Sequence, residues 1–292
     1  MYIKNRKVDV FVIGAQKSGT TTLHEILLKE KDISLPAIKE THFFSDSKRN
    51  EKGISWYISN FDKQKKIWLE VDPDYTSNFE IIRDIFNYNP DAKIIFIYRD
   101  PMQRALSQWK MNKRRGIEHL DFNQALDNEE KRLQDKKEYH YKHFGYYNRS
   151  NYQAIILELL KYFPKDRLLL IDFRVFMKED KITFYQNLCS FIGIESCLSN
   201  DDLDIRANEK SEPRLNILNK LLWSKNRPRL GKLIPFNSLK LKIAIWLDKV
   251  NRTSEKSGSQ NIEVEEKFIR KFVQCEKDFF DLVTEMKIRV LK

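Results

Sequence analysis

Lys17, Ser18 and Thr20 to Thr22 occupy a short break between an apolar run and a helical pattern, an arrangement able to hold an anion. The run Val8-Asp9-Val10-Phe11-Val12-Ile13 is β-branched and aromatic and reads as a buried strand. Gly14 ends it, residues 15–19 form a loop, and Thr20-Thr21-Thr22 restarts the chain as a helix with Leu23, Ile26 and Leu27 on its apolar face. Unpaired N–H groups and the helix dipole favour negative charge at such a junction. A short way downstream, Glu40 and His42 are both able to accept a proton. Arg99 closes an apolar strand, and Ser107 lies on the helix that follows. The arginine fork matches a phosphate, and a hydroxyl two helical turns along adds a donor.

The elements that must position these groups can be read from periodicity. Apolar runs at 67–71, 93–98 and 167–173 read as further strands, the run at 93–98 being continuous enough for burial on both faces. Helical patterns cover 79–88, ended by Asn89-Pro90, a charged stretch at 122–139, then 152–163 and 184–192. Asp100 and Pro101 form an N-cap and first-turn pair that opens the helix carrying Ser107. Val264, Phe268, Phe272, Phe279 and Val283 mark a final amphipathic helix, and residues 253–260 read as a mobile polar segment. The pattern predicts one α/β domain over residues 1–292, with a core at 8–214 and a helical C-terminal extension at 215–292. Its centre is a parallel sheet of about four or five strands, with helices on both faces and the anion at the strand carboxyl ends.

Composition narrows the classes. Of 292 residues, 41% are hydrophobic and 12% aromatic, which excludes a disordered chain, and the net charge of +11 implies an anionic partner. A nucleotide cosubstrate, an acidic glycan, nucleic acid and a membrane surface all qualify on charge. Cys189, Cys197 and Cys275 make neither a disulfide framework nor a metal-binding spacing, so reduced thiols in the cytoplasm are expected. No signal peptide precedes the first strand, and no apolar run approaches the ~18 residues of a membrane span.

The common nucleotide P-loop has Gly-Lys-Ser/Thr four residues after its first glycine. Here Lys17 precedes Gly19 and Thr20 follows it. The order Lys17-Ser18-Gly19-Thr20-Thr21-Thr22 instead resembles the 5′-phosphosulfate loop of sulfotransferases that use 3′-phosphoadenosine 5′-phosphosulfate (PAPS). Lys39-Glu40-Thr41-His42-Phe43-Phe44 resembles the Lys-Glu-Pro-His-Phe-Phe segment of the bacterial and heparan-sulfate-type members. The stretch 98–109, with Arg99 and Ser107, resembles their 3′-phosphate site.

The resemblance covers residues 8–214 and implies specific roles. Lys17 would reach the leaving phosphate, which Ser18, Gly19, Thr20, Thr21 and Thr22 would hold. Arg99 and Ser107 would clamp the 3′-phosphate, Glu40 would be the base, and His42 would contact the acceptor. Lys210 and Arg214 fall where the family closes the pocket with a basic loop, although the Lys-Gly-Arg order is missing. Thr41 stands where proline is usual, and Val71 replaces the lysine that heparan-type enzymes carry, which weakens heparan sulfate as an acceptor. The implied reaction moves a sulfuryl group from PAPS to a hydroxyl or amine of a glycan, lipid or small molecule, leaving 3′-phosphoadenosine 5′-phosphate (PAP). Fixed cations stabilise the leaving group, so no metal is expected, and nucleic acid is not expected as partner. The competing readings are a non-catalytic binder of sulfated glycan or nucleic acid, and a nucleotide kinase. The kinase would need a lysine after the second glycine and Mg²⁺ ligands.

Overall fold

The computed structural model describes residues 6–178, 181–196, 198–204 and 262–292, together with the backbone of 212–213 and 252–253. Strand β1 (Val10–Gly14) runs through the loop into α1 (Thr20–Leu27). A two-residue strand, β2 (Ile33–Ser34), is followed by the short helices α2 (Ser47–Asn50) and α3 (Gly53–Ile58), and then by β3 (Ile67–Val71). Helix α4 (Phe79–Tyr88) and strand β4 (Lys93–Tyr98) have the predicted bounds. Helices α5 (Pro101–Arg114), α6 (Phe122–Asp127), α7 (Glu129–Leu133), α8 (Glu138–Phe144) and α9 (Tyr152–Leu160) lead to β5 (Leu168–Asp172). Then come α10 (Ile182–Ile192) and α11 (Asn200–Leu203). A small antiparallel ladder joins β6 (Glu212–Pro213) to β7 (Arg252–Thr253), and α12 (Glu266–Met286) and β8 (Arg289–Leu291) close the chain.

The central sheet has the order β2-β3-β1-β4-β5-β8, and each neighbouring pair is parallel. Six strands replace the four or five expected, because β2 and β8 are too short to write a periodic pattern. Alternation along each strand builds two cores. Val10, Val12, Val71, Ile95 and Ile97 face α1 and α10, while Phe11, Ile13, Phe96 and Leu170 face α4, α9 and α12. Each fully buried side chain of this size contributes about 1.5–3 kcal/mol relative to exposure. Since all strands run the same way, the segments after β1, β3 and β4 emerge along one edge. The chain crosses from one side of β1 to the other between β3 and β4, the kind of switch point that opens a ligand crevice.

The helix expected over 122–139 is instead broken into α6, α7 and the start of α8. Local side-chain bonds outcompete the helical ladder there. The Asp135 carboxylate accepts from the Lys137 N–H at 3.2 Å and lies 2.9 Å from His140 Nδ1, beside Lys136 in the left-handed region. Glu129, which reads as a solvent-facing charge, turns inward and accepts the N–H groups of Tyr147 and Asn148 at 2.8 and 2.7 Å. The chain end also differs from a purely helical extension, because β8 adds to β5 and Phe279 of α12 packs on Tyr98 and Tyr152. Cys189 and Cys275 are buried free thiols. Cys197 and residues 205–211, 214–251 and 254–261 lie outside the described residues.

Candidate active site

The anion cradle forms where β1 turns into α1. The Ala15 N–H donates to the Ile97 carbonyl at 2.7 Å, tying the loop to β4, and Lys17 and Gly19 both take positive φ, 71° and 91°. Gly19 is the N-cap and supplies no side-chain bond, so the helix start keeps donors for a ligand. A side chain at Gly19 would meet Phe173 at 3.0 Å and Phe176 at 3.1 Å, besides the strained φ. Ser18 is buried, and its Oγ makes no well-formed hydrogen bond among the described residues, although the buried Tyr152 hydroxyl is a neighbour. An orphaned hydroxyl at an uncapped helix start fits a phosphate-type ligand. Thr20, Thr21 and Thr22 form the first turn of α1.

Arg99 follows β4 and comes to the same loop, its NH1 donating to the Lys17 carbonyl at 3.3 Å while the guanidinium lies 5.0 Å from the Phe173 ring. Asp100 caps α5 by accepting from the Gln103 N–H at 2.6 Å, as the Asp-Pro pair predicts, and Ser107 is half-buried on that helix. The helix is pinned by a residue to which the sequence motifs assign no role. Arg104 is fully buried and donates to Ser150 Oγ at 2.6 Å, to Gln108 at 2.8 Å and to the Tyr146 carbonyl at 2.5 Å.

Glu40 and His42 share a tight turn, with φ of 54° and 55°, and the residue between them points into the core. Thr41 donates both its N–H (3.2 Å) and its hydroxyl (2.5 Å) to Glu70 Oε1, while Tyr57 and Tyr75 donate to Oε2 at 2.5 and 2.8 Å. Thr41 therefore has a physical role where proline could supply neither donor. Burial and Asp72 push the Glu70 carboxyl up to about 7, against these hydrogen bonds. Two residues on, Asp72 accepts the His42 N–H at 2.9 Å, and the same oxygen lies 3.0 Å from His42 Nδ1.

Two contacts bring this turn to the cradle. Lys39 Nζ donates to Thr21 Oγ1 at 3.2 Å, and Gln16 of the cradle donates to Asp74 at 3.3 Å. Asp74 also pairs with the buried Arg149 at 2.9 Å. Burial pushes the Glu40 carboxyl above its usual range, and Asp72 and Asp74 add to this against Lys39 and His42. For His42, burial opposes the charge, but the Asp72 hydrogen bond and the Asp72 and Asp74 charges outweigh it, with Lys142 opposing, so the imidazole lies above its ordinary value. Burial opposes the Asp74 charge too, yet Arg149, His42 and Lys142 hold that carboxyl below the usual range. His42, Asp72 and Asp74 come within 4.8 Å of one another, a cation-sized spacing, but His42 and Arg149 already engage their carboxylate oxygens.

The structure thus brings together Lys17, Ser18, Gly19, Thr20, Thr21, Thr22, Arg99, Glu40 and His42 along one sheet edge, with Ser107 on the helix that Arg99 precedes. Lys210 and Arg214 lie outside the described residues. Val71 sits in the core beside Val12 and presents no charge. The sequence reading missed Glu70, Asp72, Asp74 and Arg149. The available signal was Asp72-Pro73-Asp74, two carboxylates placed where a parallel strand ends beside the cradle strand.

The fold and this edge define an α/β protein in which a strand–loop–helix junction suited to an anion lies beside a carboxylate–histidine turn. The sulfotransferase-domain family profile matches residues 7–227, and the chain belongs to that family. A sulfotransferase from Alicyclobacillus acidocaldarius superposes with a TM-score of 0.57 at 25% identity, covering 81% of this chain and 99% of that one. Mouse sulfotransferase SULT7A1, solved in complex with PAP, shares the fold with a TM-score of 0.51 at 16% identity, covering 97% of this chain and 88% of that one. Among curated relatives, mouse heparan sulfate glucosamine 3-O-sulfotransferase 5 is 33% identical over 100 residues. That match covers 34% of this chain and 29% of the relative. The membrane-associated sulfotransferase kil1 of Dictyostelium discoideum is 35% identical over 106 residues, 35% of this chain and 22% of the relative. The matched stretch thus spans under a third of these curated relatives. No helix among the described residues is long and apolar enough to cross a membrane.

Proposed function

We propose that this protein is a PAPS-dependent sulfotransferase acting on a hydroxyl or amine of a glycan, lipid or small-molecule acceptor. The observation that carries the reading is the approach of the Glu40 turn to the anion cradle, through Lys39 to Thr21 and Gln16 to Asp74. A partly buried carboxyl with a raised pKa beside a phosphate site suits a general base. The family membership and the PAP complex of the mouse neighbour support the choice of cosubstrate.

In this reading the acceptor oxygen attacks sulfur in line with the leaving 5′-phosphate oxygen. Glu40 takes the acceptor proton, the new O–S bond forms, and the electron pair of the broken S–O bond stays on PAP. Lys17, the Ser18 hydroxyl and the N–H groups at the start of α1 stabilise the charge that grows there. Arg99 and Ser107 hold the 3′-phosphate, so the nucleotide is gripped at both ends. The core position of Val71 argues against a heparan-type acceptor contact there, and the +11 charge favours an acceptor carrying negative groups elsewhere.

The test is a thermal-shift comparison of PAP with ATP–Mg²⁺, followed by transfer of label from [³⁵S]PAPS to a panel of glycan, lipid and phenolic alcohols. PAP at ~100 times its Kd should stabilise the fold by about 2.7 kcal/mol, raising Tm by several degrees. ATP–Mg²⁺ should do less, and label should move to one acceptor class with equal release of PAP. A shift with ATP–Mg²⁺ and none with PAP overturns the reading.

A further inference from the structure

We propose that Asp72 is a positioning residue of the transfer centre, fixing His42 so that its Nε2 faces the acceptor while Glu40 remains the base. The proposal rests on the sulfotransferase reading and deepens it, since Asp72 touches neither half of the nucleotide site. Asp72 is fully buried, and each of its oxygens has a separate task. Oδ1 accepts the Asp74 N–H at 3.0 Å and caps the Pro73–Thr76 turn after β3. Oδ2 accepts the His42 main-chain N–H at 2.9 Å and lies 3.0 Å from ring Nδ1, an ion-pair contact and not an aligned hydrogen bond. The other carboxylate near Nδ1, Asp74 Oδ2, is farther at 3.8 Å, so a proton on Nδ1 faces Asp72 first.

With Nδ1 turned to Asp72, Nε2 is the nitrogen left for a ligand, and the His42 side chain remains 28% exposed. The groups facing this imidazole are Asp72 and Asp74 after β3, Lys142 of α8, and Glu40 on its own turn. Their balance lifts the imidazole above its ordinary value, and in its protonated form Nε2–H is a charged donor. Such a donor can hold the acceptor oxygen or a sulfuryl oxygen but cannot compete with Glu40 for the proton. The main-chain bond has a second effect. Asp72 on His42 and Glu70 on Thr41 hold two successive peptide N–H groups from alternate positions of one strand and its end, which fixes the left-handed turn that carries Glu40.

The experiment uses protein labelled with [¹⁵N]histidine, whose five histidines are separated by subtracting the spectrum of His42→Gln. In the wild type, His42 should titrate above the ordinary ~6.5, and its neutral form should carry the proton on Nδ1. In Asp72→Asn the midpoint should fall by about one pH unit and the proton should move towards Nε2. Turnover of Asp72→Asn should drop roughly tenfold at pH 7 with the KM for PAPS unchanged, the rate equivalent of one charged hydrogen bond. The ratio of wild-type to variant turnover should shrink as the pH is lowered and the imidazole regains its proton, whereas a purely structural defect gives a constant ratio. A wild-type Nε2–H tautomer, or a His42 titration unmoved by Asp72→Asn, overturns the proposal, and the wild-type tautomer reads out even if the variant misfolds. PAP calorimetry on the same samples reports separately on the PAPS reading, which can fail while the Asp72–His42 pair stands.

Discussion

Glu40 is a modest residue by composition, one carboxylate among 42 acidic side chains, and its significance comes from where the backbone turns. Replacing it by Gln keeps size and hydrogen bonding but removes the proton acceptor. Turnover should fall by ~10²–10⁴, while PAP affinity stays within a factor of about two, because no contact to phosphate is lost. Steady-state kinetics beside calorimetry separate these. Near-normal turnover in Glu40→Gln together with a dead His42→Ala would transfer the base role to His42. Glu40, Lys17 and Arg99 were legible because their motifs lie within short, contiguous stretches. Glu70, Asp72 and Arg149 were not, since each acts on a partner about 30 or more residues away and only the folded sheet edge brings the pairs together. Thr41 is the instructive case: it departs from the usual proline, and its two bonds to Glu70 explain how this chain holds the turn without one.

At the scale of elements, the backbone path of the cradle depends on Gly19. An alanine there must take a φ of 91° and push against Phe173 and Phe176. Gly19→Ala should destabilise the fold by about 1–3 kcal/mol and weaken PAP binding in proportion to how far α1 shifts. Chemical denaturation and calorimetry measure both, and a variant of wild-type stability and affinity would show that α1 tolerates the displacement. Strand β4 and helix α4 were readable to the residue because the run 93–98 is unbroken and because Asn89-Pro90 ends the amphipathic pattern of α4. The charged stretch at 122–139 misled for a physical reason. Its composition suits a solvated helix, yet Glu129 is drawn inward by main-chain N–H groups that cannot be foreseen locally. Strands β2 and β8, two and three residues long, carry no period to detect and exist through pairing with β3 and β5.

At the scale of the molecule, buried acids contribute to the pH dependence of stability. Glu70 and Glu129 are both pushed from 4.5 up to about 7, chiefly by burial. The folded state therefore binds these protons more tightly than the unfolded chain, so their contribution is present below pH 4.5 and is lost as pH rises towards about 7. Glu70→Gln should give a shallower fall of Tm than the wild type over that interval, beside a general loss of about 1–3 kcal/mol from its disturbed hydrogen bonds. Parallel wild-type and variant Tm curves would show that Glu70 is ionised in the fold throughout. The end of the chain is part of the same whole, since α12 covers the sheet and β8 extends it, features that a helical appendage would lack.

The central claim is that the cradle and Arg99 together read a nucleotide carrying phosphates at both the 5′ and 3′ positions. Isothermal titration of PAP and of AMP, against the wild type and Arg99→Ala, tests it most directly. The account predicts one PAP per chain and weaker AMP binding in the wild type, by roughly tenfold or more for the lost charge-assisted contacts. It predicts that Arg99→Ala erases the difference while leaving Tm near that of the wild type. Equal affinity of the wild type for PAP and AMP would contradict it.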